Sequence, residues 1–239
     1  RKLNSRSVDN KTGFSRLQRS GAVLILTARM KAFSPAKKIV CAGLFGFCAM
    51  MTFAQSTNSP LQQIAPGIFQ LGSVRMDNAK KSVQFPAKVN MTNGAVEYFV
   101  VAGIGKLHES VLKTETEPAQ IHMAMLLLGA TVATNGSGTN VTGDQFMMEV
   151  SWKNGDTEKR ARAEDLIFNT KTKTTMSKEG WVYNGSKVVD GTFIAQRDGS
   201  IVSIITDTLA LANSRQPERD NDNIWSVNTN AVPPLNTAV

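Results

Sequence analysis

The chain has 239 residues and a formal charge of +8, but ten of its 27 basic side chains and one of its 19 acids precede Gln55. From Gln55 to Val239 the balance is 17 basic against 18 acidic, and both cysteines, Cys41 and Cys48, fall outside that stretch. A broadly basic nucleic-acid binder, a disulfide scaffold and a cysteine-ligated metal centre are therefore all disfavoured.

Residues 1–29 are rich in Ser and Arg and hold one short apolar run, Ala22–Leu26. They read as an upstream extension of the gene start or a disordered tail, outside the fold. Met30 opens a three-part pattern. Lys31, Lys37 and Lys38 are followed by an uncharged run from Ile39 to Phe53, and Thr52-Phe-Ala54 then places small residues where a signal peptidase reads. Residues 30–54 thus predict a signal peptide. The run of 15 residues is short of the roughly 20 that a membrane-spanning helix needs, so no stable anchor is expected after cleavage. The expected compartment is the periplasm or the exterior.

Residues 55–66 read as a flexible leader, and 67–239 as one domain. Six Asn-Gly or Asp-Gly pairs lie between β-branched and aromatic runs, and such pairs suit tight hairpin turns. Three hairpins are predicted: Ser82–Val89 with Ala95–Ala102, Phe146–Lys153 with Glu158–Ala163, and Thr192–Gln196 with Ser200–Thr206. Gly103-Ile-Gly105 reads as a turn and Gly136-Ser-Gly138 as a flexible loop. Pro118 and Gly129 bracket a helix whose Ile121, Met125 and Leu128 share a face, with Ala124 and Leu127 beside them. A second short helix is expected at Asp207–Asn213. The fold class is α+β: mostly antiparallel β-hairpins with one inserted amphipathic helix packed on the sheet.

Chemistry has few candidates. The chain has two histidines, His108 and His122. One reading gathers them at the helix entrance as ligands of a divalent metal or as a proton-sharing pair, with Glu109 or Ser110 assisting. On a regular strand His108 and Ser110 would face away from Glu109, so the cluster requires the strand to end or bulge there. The other reading is structural: His122, among apolar helix residues, hydrogen-bonds a loop carbonyl, and Glu109 holds backbone amides at the helix start, where the dipole favours an anion. The run Glu218–Asn223 lacks the glycine and glutamate of a calcium loop and reads as a solvated loop capping the segment with Trp225. Trp181 and Tyr183 alternate on a strand and read either as core or as a surface on which a ligand stacks. Lys153–Asp165 mixes both signs of charge and reads as a solvated hairpin rather than a nucleic-acid site.

The string Lys106-Leu-His-Glu-Ser110, followed by Ile121-His-Met-Ala-Met-Leu-Leu-Leu-Gly129, resembles the YdjY-like domain of exported bacterial proteins. Asp198-Gly199-Ser200 and Asn221-Asp-Asn-Ile-Trp225 add to the likeness, which spans roughly Gly67 to Val239. It implies a single secreted or periplasmic domain. A site common to the family would fall on His108, Glu109, Ser110, His122, Asp222 and Trp225. An iron–sulfur cluster is not carried over, because no cysteine lies between Gln55 and Val239. The expected function is a binding domain for an unknown small ligand or an envelope protein, without a complete catalytic set. The alternative is a metal-dependent or general acid–base hydrolase using His108, Glu109 and His122.

Overall fold

The computed structural model describes residues 24–28, 61–133 and 143–239. The expected signal peptide, most of the leader and the Gly136-Ser-Gly138 loop lie outside the described residues.

Strand β1 (Leu24–Ala28) is followed by a meander of β2 (Leu61–Ala65), β3 (Ile68–Leu71), β4 (Val74–Asp77) and β5 (Ser82–Phe85). Each pairs antiparallel with the next from β2 to β5. Pro86 ends β5, and β6 (Lys88–Val89) resumes beyond it. Strand β7 (Tyr98–Ala102) is buried along its whole length and lies parallel to β8 (Ser110–Thr114). Helix α1 (Pro118–Leu127) leads to the long hairpin of β9 (Gln145–Asn154) and β10 (Thr157–Arg162). Short strands β11 (Ile167–Asn169) and β12 (Thr174–Thr175) precede β13 (Trp181–Tyr183). The hairpin β14 (Val188–Val189) and β15 (Thr192–Phe193) runs into helix α2 (Ile194–Asp198). Strands β16 (Ser200–Ser203), β17 (Ala212–Ser214) and β18 (Trp225–Val227) complete the order. Among the described residues the main sheet has 13 strands in the order β2-β3-β4-β5-β1-β9-β13-β17-β16-β7-β8-β6, with β10 alongside β9. The chain is therefore mostly β with few helices. The core gathers Phe85, Phe99, Met148, Trp181, Tyr183 and Trp225, each at most 1% exposed.

Several pairings differ from the sequence reading, for physical reasons. The β9–β10 hairpin forms over Asn154-Gly155, with Gly155 at φ +60°. The other two predicted hairpins do not form. β5 pairs with β4 and β1, whereas β7 pairs with β16 and, in parallel, with β8. Long-range partners outcompete the local turn at Asn93-Gly94. Residues 194–198 are helical rather than extended, and Gly199 at φ +70° ends that helix instead of turning a hairpin. No helix forms at Asp207–Asn213; that stretch is a turn leading into β17.

Helix α1 buries Pro118, Ile121, Ala124 and Met125, followed by Leu128 just past its end. Its other face carries Met123, Leu126 and Leu127, all about half exposed. The helix is thus apolar on both sides rather than amphipathic, and Leu127 is not in the core. Among the described residues no helix is long and apolar enough to cross a membrane.

Strand β1 corrects the expectation that residues 1–29 lie wholly outside the fold. It is antiparallel to β5 on one side and to β9 on the other. Leu24 stands opposite Phe85 and Val150, Leu26 opposite Val83 and Met148, and Ala28 opposite Phe146. All of those partners are buried. An apolar, strand-forming pentapeptide meets two strand edges whose backbone groups need partners.

Candidate functional site

Because β7 and β8 are parallel, the intervening seven residues must run back the length of β7, from Ala102 to the level of Glu97, in fewer than the dozen or more residues such a connection usually takes. Gly103-Ile-Gly105 turns the chain, and Leu107–Glu109 form one 3-10 turn before β8. At Gly105 the return path crosses the start of β16. A Cβ there would lie 2.8 Å from the Val101 Cβ and 3.0 Å from the Gly199 carbonyl. A Cβ on Gly199 would lie 2.7 Å from the Gly105 nitrogen. Two main chains therefore touch where any side chain would hold them apart. Asn90 fastens the turn by donating its side-chain amide to the carbonyls of Leu107 (2.6 Å) and Ser110 (2.9 Å).

Above this crossing lies a cleft of about 790 Å³. Its walls carry Tyr98 from β7, Lys106 and His108 from the turn, Arg197 and Asp198 from α2, and Asp207 from the loop after β16. Lys106 sits at the centre. Its Nζ is 2.8 Å from Glu109 Oε1, 3.1 Å from Glu97 Oε2 and 5.3 Å from the centroid of the Tyr98 ring. The bond to Glu109, and then that to Glu97, hold its ammonium above the ordinary lysine range against the opposing effect of burial. The Tyr98 hydroxyl donates to Asp207 Oδ2 at 3.0 Å. Burial, and then the Asp207 carboxylate, push Tyr98 up to about 12. Asp207 is itself fixed: its Oδ1 accepts from the Leu209 amide (2.8 Å), and its own amide donates to the Asn213 side chain (2.6 Å). Arg197 forks onto Asp198 with contacts of 2.6 and 2.8 Å, which holds that carboxyl below its usual range. Lys106 and Arg197 are thus answered by carboxylates, and the walls are close to neutral as a set.

The sequence candidates separate. His108, Glu109 and Ser110 come together at the turn. The His108 side chain is 79% exposed in the cleft, with its Nε2 3.7 Å from Glu109 Oε2. Strand β8 begins only at Ser110, which satisfies the condition for His108 and Glu109 to approach each other. Ser110 is buried, and its hydroxyl donates to the Lys106 carbonyl. His122 does not line the cleft. It is on α1, where its Nδ1 lies 2.6 Å from the Tyr183 hydroxyl and its ring stands 4.9 Å from that of Phe193. Burial lowers the His122 pKa and raises that of Tyr183.

Asp222 is exposed on a 3-10 turn and accepts from the Asn223 side chain. Trp225 is 1% exposed in β18, its indole nitrogen buried without a hydrogen-bond partner. Neither lines the cleft. Among the described residues no three His, Cys, Asp or Glu side chains are grouped to hold a metal. Lys106, Tyr98, Arg197 and Asp207 escaped the sequence reading. Only Lys106, inside the Lys-Leu-His-Glu string, carried a local signal; Tyr98 and Asp207 are 109 positions apart.

A family model for the YdjY domain matches residues 74–239. The chain belongs to the YdjY domain family. No curated protein and no solved structure matches it. The YdjY match begins at Val74, the first residue of β4, and takes in every residue of the cleft wall. The cleft thus lies wholly within the matched span. Strands β1 to β3 precede the match.

Proposed function

We propose that the chain is an exported binding domain, periplasmic or secreted, that holds a small polar ligand in the cleft between β7, the β7–β8 turn and α2. The observation that carries this reading is the Tyr98–Lys106–Glu109–Asp207 network. Each polar group is already held by its neighbours, so a ligand meets donors and acceptors whose ordering cost is paid before it arrives. The mixed and nearly neutral walls, with Ile104, Ile205 and Leu209 between the polar groups, suit a zwitterion or a hydroxylated neutral molecule better than a strong anion. Export rests on the pattern from Lys31 to Ala54.

The chain is a binder rather than a hydrolase in this reading. His108 is exposed beside one carboxylate, and His122 is committed to Tyr183 and Phe193. Thermal melts in the presence of free amino acids and of mono- and disaccharides test the ligand class. A ligand at a hundredfold its Kd adds about 2.7 kcal/mol, or a Tm rise of roughly 5–10 °C in a domain of this size. That rise should vanish in Tyr98→Phe and Lys106→Met. A flat response across both compound classes would overturn the proposal. Cell fractionation should find a processed chain starting near Gln55 outside the cytoplasm.

A further inference from the structure

Strand β1 occupies an unusual position. It comes from outside the residues that the YdjY family model matches, yet it stands inside the sheet those residues build. Its two neighbours, β5 and β9, both belong to the matched region. The edge of β5 away from β1 is taken by β4. On β9, β10 covers Glu149–Asn154 and β13 covers Gln145–Phe146, while β1 covers Phe146–Val150. Because a strand has two edges and these spans overlap, β10 and β13 must share the edge opposite β1. In the strand order, β1 is the link between the β2–β5 block and the rest of the main sheet. Without it, β5 and β9 face each other across a gap one strand wide, each with a row of backbone donors and acceptors unpaired.

The register states what fits the gap. Positions equivalent to Leu24, Leu26 and Ala28 stand opposite buried Phe85, Val83, Val150, Met148 and Phe146. Positions equivalent to Ile25 and Thr27 stand opposite Gln84 and Glu149, and Ser82 and Met147. The occupant must be extended, antiparallel to both neighbours, and apolar at every second residue. The segment that follows the expected cleavage point, Gln55–Pro60, is polar (QSTNSP) and does not meet that requirement.

We infer that the gap between β5 and β9 is a strand-acceptor slot, filled by Leu24–Ala28 in the full chain and, after the leader is removed, by an extended strand of a partner protein with apolar residues at alternate positions. This rests on the proposed export only for the second occupant; the slot itself is defined by β5, β9 and the seated β1. The recognition is strand addition, in which main-chain hydrogen bonds give affinity and alternate side chains give selectivity.

The test uses the full chain with a site-specific protease sequence placed after Ala54. The probe is a fluorescent synthetic peptide of residues 22–29 (AVLILTAR), with a Leu24→Asp/Leu26→Asp version as control. Before cutting, the slot is filled and the probe should not bind. After cutting, the probe should displace the released leader and protect from exchange those amides of Ser82–Phe85 and Phe146–Val150 that lie on the β1-facing edges. The control should bind at least tenfold more weakly. Unfolding on loss of the leader, prevented by the probe but not by the control, supports the slot equally. Three results would overturn it: amides on the β1-facing edges of β5 and β9 that stay protected after the leader departs with no probe present, a probe and control that bind alike, or unfolding that the probe does not prevent. Finding only the uncleaved chain in cells would refute export and the partner strand, while the cut-chain experiment would still decide the slot.

Discussion

The two histidines of this chain lie 14 positions apart in sequence and in opposite physical states. His108 sits at the rim of the cleft on a turn, mostly in water, touching one carboxylate. His122 sits between α1 and the sheet with its ring held by a tyrosine and a phenylalanine. The difference teaches that rarity of a residue type does not mark a shared task. One histidine belongs to the surface that can meet a ligand, the other to the joint between helix and sheet.

That contrast can be broken or sharpened. The largest effect is expected at Tyr183, which is 1% exposed and bonded to His122. Tyr183→Ala should destabilise the fold by about 4 kcal/mol in urea unfolding, since it removes a buried aromatic and leaves a cavity. His122→Ala should cost about 2 kcal/mol, by losing the contact with Phe193 and leaving the Tyr183 hydroxyl a single longer bond of 3.4 Å to the backbone carbonyl of residue 122. If both variants were as stable as the parent, the joint would not be structural.

The same region predicts the response to acid. Burial lowers the His122 pKa in the folded state, so near its ordinary value the unfolded chain binds more protons than the folded one. The His122 contribution is complete above the unfolded pKa of about 6.5 and is lost as pH falls through that value toward the folded one. Melts taken from pH 8 to pH 5 should decline more steeply for the parent than for His122→Gln, and equal slopes would contradict the assignment.

The chain has two tyrosines, and they report one from each region. Both are shifted upward, Tyr98 to about 12 and Tyr183 by burial. Ultraviolet titration of the native protein should therefore show no tyrosinate near pH 10, and the denatured chain should show both. Stability is expected to fall as pH rises above about 10, where the unfolded state ionises first. The smallest effect belongs to His108: His108→Ala should leave stability within about 0.5 kcal/mol.

What could be read from the sequence was what is decided locally. The helix from Pro118 was legible because its stop signals and apolar spacing lie within a dozen residues. The β9–β10 hairpin was legible because Asn154-Gly155 joins two partners that are neighbours in the chain. The pairings of β7 were not, since a parallel partner and β16 are set by long-range packing that leaves no mark in local alternation. Residues 194–198 are too few to show a helical period. The candidate site divided along the same line. The Lys-Leu-His-Glu-Ser string delivered one wall of the cleft, while Tyr98, Arg197 and Asp207 arrive from segments whose meeting only the folded sheet reveals. Leu24–Ala28 misled for a related reason: a short apolar run beside a leader looks expendable until two distant strands are seen to flank it.

The contact between Gly105 and Gly199 has a consequence for anyone who would redesign this domain. Gly105 lines the cleft and its backbone is in touch with that of Gly199, so this stretch of the wall is set by main chain rather than by side chains. Lining side chains can be exchanged to retune chemical preference while that backbone contact stays in place. A single methyl group at either glycine would act as a wedge, altering the shape of the vessel before altering its chemistry.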